Sequence, residues 1–396
     1  MTLNVLVTDG EQRAALAVTR SLGHAGYRVY TAAASTSLAG ASRWSAGKAR
    51  VPDPLLDPPG FVAVIAELIG RWHIDVLVPI TEAALLALLP VRGRFPDLII
   101  PFPDAEVFAR VSDKDALLTT AARLGIAHPR SLTLDSPGSG TAAVEAALRF
   151  PVVIKPSRSV QDRGAERLKV PVAYADSPEE LGRTLGSLPA GGYPLLIQER
   201  IVGDGTGVFL LRWEGQTRAV FAHRRLREKP PSGGVSVYCE SITPDPELVR
   251  SAESLLSAHH WQGVAMVEFK RDRVSGVPYL MEVNGRFWGS LQLAVDAGVD
   301  FPALLLAAAL ETDAGTPPVS RAGIRSRWWW GDIDHLLTRL RRSPEALHLP
   351  AGAPSRGRVA AEVLLPWRSP GRNEVLRASD PVPALVETAL WLRSLL

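Results

Sequence analysis

Ala265-Met-Val-Glu-Phe-Lys-Arg-Asp, followed by Tyr279-Leu-Met-Glu-Val-Asn-Gly-Arg-Phe-Trp-Gly-Ser, is the part of the chain whose pattern carries most meaning. Both arms alternate and are rich in strand formers, and a glycine-bearing turn near Ser275-Gly276 divides them, which predicts a β-hairpin. A turn centred on Ser275 sets Glu268 opposite Glu282. The two-residue period then puts Met266, Glu268 and Lys270 on one face with Leu280, Glu282 and Asn284. Ala265, Val267, Phe269, Met281 and Val283 are left for a core. Like charges directly across a strand pair repel unless something neutralises them. Two carboxylates and an amide oxygen are hard donors of the kind Mg²⁺ takes alongside substrate phosphates. A solvated face with incidental acids is the plainer alternative. Arg286 weighs against it, because it puts a cation on the same face, beside where phosphates would sit.

The 396 residues are 46% hydrophobic and 21% charged, an ordinary globular composition with room for two or three domains. A net charge of +3 is small for this length and argues against a nucleic-acid partner. Cys239 is the single cysteine, which excludes an intramolecular disulfide and a cysteine-based zinc site and fits a reducing cytoplasm. The first residues lack the basic and long apolar regions of a signal peptide. Apolar runs such as Phe301 to Leu310 are too short to span a bilayer. The expectation is a cytoplasmic protein with no membrane partner and, by default, a homodimer.

Residues 3–9 read as an apolar strand ending at Asp9-Gly10, followed by a helix from Arg13 to Gly26 and a strand from Tyr27 to Ala32. With a helix at Phe61 to Trp72, a strand from Ile74, a helix at Glu82 to Leu89 and a strand at Leu98 to Pro101, this predicts a doubly wound parallel sheet. Its first turn has one glycine and lacks the G-x-G-x-x-G spacing of dinucleotide sites, so a scaffold or substrate-binding role is expected. Ser112 to Asp115 has a capping-box pattern that opens a helix to Leu124, with Lys114 in its first turn, where the helix dipole disfavours a cation. Phe150-Pro-Val-Val-Ile-Lys reads as a buried strand with Lys155 near its end, and lysine is rarely buried without a partner. Ser157 to Gly164 reads as a loop.

Leu195-Leu-Ile-Gln-Glu reads as a strand breaking into a glycine-rich turn, with an antiparallel sheet continuing at Val208 to Arg212 and Ala219 to Arg227. There His223, Arg225 and Arg227 recur at every second residue, so one face would suit an anionic ligand; a solvated basic edge is the alternative. The loop from Glu228 through Pro230-Pro-Ser-Gly-Gly has the look of a functional loop. Further on, Ile333, Leu336, Leu337 and Leu340 form a helical stripe after Trp328-Trp-Trp. Arg358 to Leu365 reads as a strand, and a last helix, Ala384 to Leu396, is expected to dock through Leu385, Ala389 and Leu392.

In this order the pieces resemble an ATP-grasp carboxylate–amine ligase over residues 1–312. The resemblance rests on the two lysines, the Gln198-Glu199 strand end and the closing Glu…Glu-x-Asn-x-Arg. Arg225-Leu-Arg-Glu-Lys-Pro-Pro-Ser-Gly-Gly is also similar to a bacterial subgroup of such ligases, carbamoyl-phosphate-synthase-like or pyrrolysine-ligase-like. The resemblance implies an α/β protein, α+β in its nucleotide half. A Rossmann-like domain would span 1–105 and an ATP-grasp domain 106–312, with subdomains 106–195 and 196–312. Residues 313–396 would be an extension, helical with one strand. Lys114 and Lys155 would contact the phosphates of ATP. Gln198, Glu199, Arg200 and Ile201 would form the adenine hinge, and Asp204 would take the ribose. Glu268, Glu282 and Asn284 would bind two Mg²⁺ ions, with Mn²⁺ as a substitute. Arg286, with Lys155, would be catalytic. His223, Arg225, Arg227, Ser232, Gly233, Gly234 and Ser290 are the substrate candidates, with His223 either a general base or a packing residue. The family's phosphate loop is usually glycine-rich, whereas Ser157 to Gly164 has one glycine and two arginines, which shifts the contact to Arg158 or Arg163. The implied reaction makes an amide from a small-molecule carboxylate and an amine through an acyl phosphate, releasing ADP and phosphate. A kinase acting on a hydroxyl and an inactive nucleotide-binding scaffold are the alternatives.

Overall fold

The computed structural model describes residues 2–136, 141–158, 160–163, 166–168, 172–189, 192–312, 317–350, 352–368 and 370–396. The chain opens with β1 (Asn4–Val7), α1 (Arg13–His24), β2 (Arg28–Ala33), β3 (Ser45–Arg50), α2 (Pro58–Trp72), β4 (Val76–Val78) and α3 (Glu82–Leu88). The strands form a parallel sheet in the order β3-β2-β1-β4. Val5, Leu6 and Val7 are fully buried, as befits a central parallel strand covered on both faces. Leu98 to Pro101, expected as a strand, contributes one parallel bridge, Val76 to Ile99. Asp9 turns the chain out of β1 at φ 54°. Its carboxylate accepts hydrogen bonds from the Thr81 amide at 3.1 Å and the Thr81 hydroxyl at 2.9 Å, which pins the first loop to the loop after β4.

The second sheet follows α4 (Ala105–Ser112) and α5 (Lys114–Arg123). Asp113, not Ser112, caps α5, accepting from the amides of Asp115 and Ala116, while Ser112 closes α4. An acid at the cap satisfies two of the orphan donors and offsets Lys114 in the first turn. Next come β5 (Ser131–Leu134), α6 (Thr141–Ala147), β6 (Val152–Pro156), β7 (Gln161–Arg163), β8 (Glu166–Leu168), β9 (Ala173–Ala175), α7 (Pro178–Ser187) and β10 (Leu195–Glu199). The order is β5-β10-β6-β9, antiparallel throughout, with a small core of its own around Val144, Ile154, Leu181 and Ile197. β7, inside the stretch expected as a loop, pairs antiparallel with β8, which follows that stretch.

The third sheet is built from β11 (Gly203–Trp213), β12 (Gln216–Lys229), β13 (Val235–Ile242), β14 (Gly263–Asp272) and β15 (Pro278–Asn284), with α8 (Pro246–Ala258), α9 (Leu291–Asp296) and α10 (Phe301–Ala309). The glycine-rich segment is strand rather than turn. A Cβ at Gly203 would sit 1.8 Å from the Arg271 carbonyl oxygen, so this position has room only for glycine.

The remaining residues complete that sheet instead of extending from it. β16 (Arg325–Arg327) and β17 (Arg372–Asn373) add to its edge, giving the order β15-β14-β11-β12-β13-β16-β17. α11 (Trp329–Arg341) and α12 (Arg356–Leu364) pack through Leu336, Val359 and Val363. The expected strand at Arg358 to Leu365 is therefore helix. Ser355 caps it, accepting from the Arg358 amide at 3.3 Å, and its two valines are spaced by four. Leu340 of the expected stripe is 49% exposed.

α13 (Val382–Arg393) docks by the opposite side from the one its leucines suggested: Leu385 is 68% and Leu392 52% exposed. Its buried side instead meets the tryptophans of α11. Trp328 donates to Glu387 at 2.8 Å and Trp330 to Thr388 at 3.0 Å, while Trp330 stacks on Trp391 at 4.1 Å. Among the described residues, no helix is long and apolar enough to cross a membrane.

Candidate active site

A cavity of about 680 Å³ opens between the second and third sheets and reaches the N-terminal end of α1. Its central wall is the β14–β15 hairpin, where Glu268 pairs with Glu282 as the alternation predicts. One detail differs. Phe269 pairs with Leu280, so Met281 is an extra residue in β15. A bulge of this kind shifts side-chain faces beyond it. Leu280 is fully buried in the core and Met281 lines the cavity, reversing the places expected for them.

The carboxylates are held by cations and by each other's neighbours. Arg225 grips Glu268 with both terminal nitrogens, Nη1 to Oε1 at 2.9 Å, and also donates to Glu228 at 2.9 Å. Asn284 donates to Glu282 Oε1 at 2.8 Å, and Arg286 donates to Asn284 Oδ1 at 3.0 Å. Burial pushes Glu268 above the usual carboxylate range; Arg225 opposes this, while Glu282 and Glu228 add to it. Burial pushes Glu282 the same way, but Lys114, Lys155 and the Asn284 amide outweigh it and hold the group below that range. Lys155, near the end of β6, has its amine pushed down by burial, with Glu282 opposing. Lys114 is buried on the same wall, and its backbone amide bonds the Ser157 carbonyl at 3.0 Å, which ties the start of α5 to the end of β6.

These residues suit a nucleotide-bound Mg²⁺. Among the described residues, no group of three or more His, Cys, Asp or Glu could hold a metal by itself. Two carboxylates and an amide supply part of a shell, which is what an ion shared with phosphates needs, since Mg²⁺ keeps water and phosphate ligands.

The other expected site residues divide. Arg200 and Ile201 line the cavity with Val202 and Gly203. Gln198 and Glu199 do not: Gln198 donates to Ser131 at 3.0 Å, and Glu199 accepts the Arg149 amide at 3.0 Å. Asp204 is 78% exposed on its side chain and pairs with Arg273. It lies one position along from Gly203, so the alternation of β11 turns it away from the cavity.

His223 and Arg225 line the cavity, but Arg227 does not. On β12, Arg225 pairs with Cys239 and Arg227 with Tyr238, so Leu226 is an extra residue and the alternation breaks there. Arg227 instead makes a bidentate pair with Asp332, 2.7 Å on each arm. Glu228 takes the cavity-facing place.

Ser232, Gly233 and Gly234 reach the cavity on a loop fastened by the Tyr174 hydroxyl, which donates to the Ser232 carbonyl at 2.9 Å. Ser290 Oγ lies 3.2 Å from His223 Nε2. Burial pushes His223 down to about 3, with Arg225 adding to it. Its ring stacks on Phe209 at 4.7 Å. The imidazole is neutral and a poor base near pH 7, which favours the packing role over the general-base role. Arg158 pairs with Asp113 at 3.0 Å. The side chain of Arg163 lies outside the described residues.

Reasoning from the sequence missed Arg13, Glu228 and Trp288, all on the cavity wall. Two of them left a signal: Glu228 opens the stretch read as a functional loop, and Arg13 begins the helix after the first parallel strand, at the end of the sheet where open α/β proteins bind ligands.

Sheet order, hairpin register and this cleft are those of the ATP-grasp fold. Residues 193–330 match the family model described as an ATP-grasp in the biosynthetic pathway with Ter operon. Among solved structures, L-amino acid ligase from Bacillus licheniformis is similar at 16% identity and TM-score 0.60, over 81% of this chain and 75% of that one. N5-carboxyaminoimidazole synthetase from Staphylococcus aureus, complexed with ADP, is similar at 13% identity and TM-score 0.62, over 81% of each chain. The biotin carboxylase domain of Hydrogenobacter thermophilus 2-oxoglutarate carboxylase, with MgADP, ADP and bicarbonate, is similar at 14% identity and TM-score 0.61, over 82% and 74%. No curated protein sequence matches.

Proposed function

We propose that the protein is an ATP-dependent ligase joining a small-molecule carboxylate to an amine through an acyl phosphate, in the cytoplasm. The observation that carries this reading is the convergence of Lys114, Lys155, Glu268, Glu282, Asn284 and Arg286 on one cavity. Anion-binding cations and hard oxygen donors together suit the triphosphate end of a nucleotide. The base end would rest against Arg200, Ile201 and Val202, beside the glycine-opened start of β11.

In the first step a substrate carboxylate oxygen bonds to the γ-phosphorus as the bond to the ADP oxygen breaks. The amine nitrogen then bonds the acyl carbon, phosphate leaves, and the nitrogen gives up a proton. Phosphoryl transfer asks for positioning and charge neutralisation rather than a protein nucleophile. Lys114 and Lys155 would neutralise phosphate oxygens, and Arg286, oriented by the Asn284 amide, would face the transferring group. Glu268, Glu282 and Asn284 would hold Mg²⁺, which supplies further positive charge on those phosphates when bound.

Incubation with MgATP and paired carboxylates and amines, with ADP assay and product mass, tests this. ADP and a product equal to the two substrates less water are expected. Glu282→Ala and Arg286→Ala should each lose on the order of 10²- to 10³-fold in turnover. A stable phosphate ester formed on a substrate hydroxyl, in place of an acyl phosphate, would replace the ligase reading with a kinase.

A further inference from the structure

Arg13 enters the cavity from the N-terminal sheet, opposite the hairpin acids. Its side chain is 11% exposed. Nη1 donates to Glu374, itself buried, and the guanidinium lies 4.0 Å over the Trp328 ring. Two anchors thus fix its plane. Nη2 makes no hydrogen bond to the described residues, and it faces Gly289, where a Cβ would sit 3.0 Å away.

The wall beside it carries a second, independent feature. Trp288 Nε1 is buried without a hydrogen-bond partner among the described residues, and Trp288, 3% exposed, lines this cavity. Buried polar groups in folded proteins are almost always satisfied, so an orphan beside a fixed arginine marks where a ligand supplies the missing partner. The indole is only a donor, as is the guanidinium. Donors beside a cation call for an acceptor-rich anion. Glu374 already balances part of the Arg13 charge, which suits a singly charged planar carboxylate better than a dianionic phosphate.

We propose that Arg13, with the Trp288 indole as a supporting hydrogen-bond donor, anchors a non-reacting carboxylate carried by one of the two small-molecule substrates. The inference rests on the ligase reading and sharpens it: that substrate is an amino acid or a dicarboxylate rather than a simple acid or amine.

The test is ligand-observed NMR titration of the full-length protein loaded with MgADP, using matched probes that differ in one carboxylate. Glycine against glycinamide reports on the amine side, and succinate against succinamate on the acyl side. Inorganic phosphate is the control anion. The wild type is expected to favour the carboxylate member of at least one pair by roughly ten- to a hundredfold, the usual worth of a hydrogen bond to a charged group. The double variant R13Q/E374Q, which strands no buried carboxylate, should lose the preference while still binding MgADP. Gly289→Val, which crowds Nη2 without changing charge, should lose it too. Equal binding of both members in the wild type, including no detectable binding of either, overturns the proposal. So does a preference that survives both variants, or phosphate binding that both variants weaken as much as they weaken the carboxylates. If MgADP itself fails to bind, the ligase reading falls first and takes this inference with it.

Discussion

Glu268 and Glu282 share a strand pair and a buried wall, yet their neighbours separate them. Glu282 has Lys114, Lys155 and an amide donor nearby, whereas Glu268 shares one arginine with Glu228 and feels two other acids. The like-charge strain therefore collects at Glu268. Glu268→Gln relieves that repulsion and still leaves Arg225 paired with Glu228, so its Tm should equal or exceed that of the wild type while turnover falls about 10²- to 10³-fold. Glu282→Gln strands two lysines, and its Tm should drop. Thermal unfolding alongside kinetics separates the cases; equal Tm losses in the two variants would refute the division. Cys239 gives a simpler forecast at the same scale. Burial, with Glu374 adding to it, raises its thiol to about 12, so the reactive thiolate is scarce at pH 8. Ellman's reagent should react slowly with the native protein and promptly in denaturant.

Among the elements, two inserted residues explain most of what the alternation could not foresee. Met281 in β15 and Leu226 in β12 each shift the pattern by one, sending Leu280 to the core and Arg227 to Asp332. A bulge is a backbone choice, and neither stretch announces it by composition. Glu268 meets Glu282 as the alternation predicts, but by a different route: the pairs nearer the turn centre it between Val274 and Ser275, and the extra residue Met281 brings Glu282 opposite Glu268. α12 reads as strand because its β-branched Val359 and Val363 favour strands, although the serine cap and the four-residue valine spacing both point to a helix. Glycine in β11 offers a paired test of close backbone approach. A Cβ at Gly203 meets a carbonyl at 1.8 Å, while one at Gly205 meets only the flexible Arg225 side chain at 3.5 Å. Gly203→Ala should cost about 1–3 kcal/mol by overpacking and weaken nucleotide binding, whereas Gly205→Ala should fall within about 0.5 kcal/mol of the wild type. Urea unfolding of the two variants checks this, and equal losses would contradict it.

At the scale of the molecule, the last thirty or so residues fasten the first sheet to the third. Arg20 donates to Asp380 at 2.9 Å, and the same carboxylate accepts from the Ser42 hydroxyl at 2.7 Å and the Arg43 amide at 2.9 Å. Arg13 and Glu374 join the same sheets beside the cavity. The sequence hides this fastening because its partners lie some 340 to 360 positions apart and are polar, so no periodicity marks them. Burial alone would raise the Asp380 carboxyl, but the Arg43 amide, the Ser42 hydroxyl and Arg20 outweigh it and hold the group below the usual 3.8. A carboxylate depressed on folding stabilises the native state fully above its unfolded pKa, and that stabilisation fades as pH falls through the lower folded value. The fastening should therefore be intact at pH 5 and fail only below about pH 4. Asp380→Asn leaves Arg20 buried without its counter-ion and should cost about 3–5 kcal/mol at neutral pH. Because the variant cannot lose a proton at this site, its stability should also change less with pH between about 4 and 3 than that of the wild type. Denaturant unfolding followed by intrinsic tryptophan fluorescence, repeated across that range, measures both effects. An unchanged pH slope in Asp380→Asn would move the acid-sensitive contact to another pair.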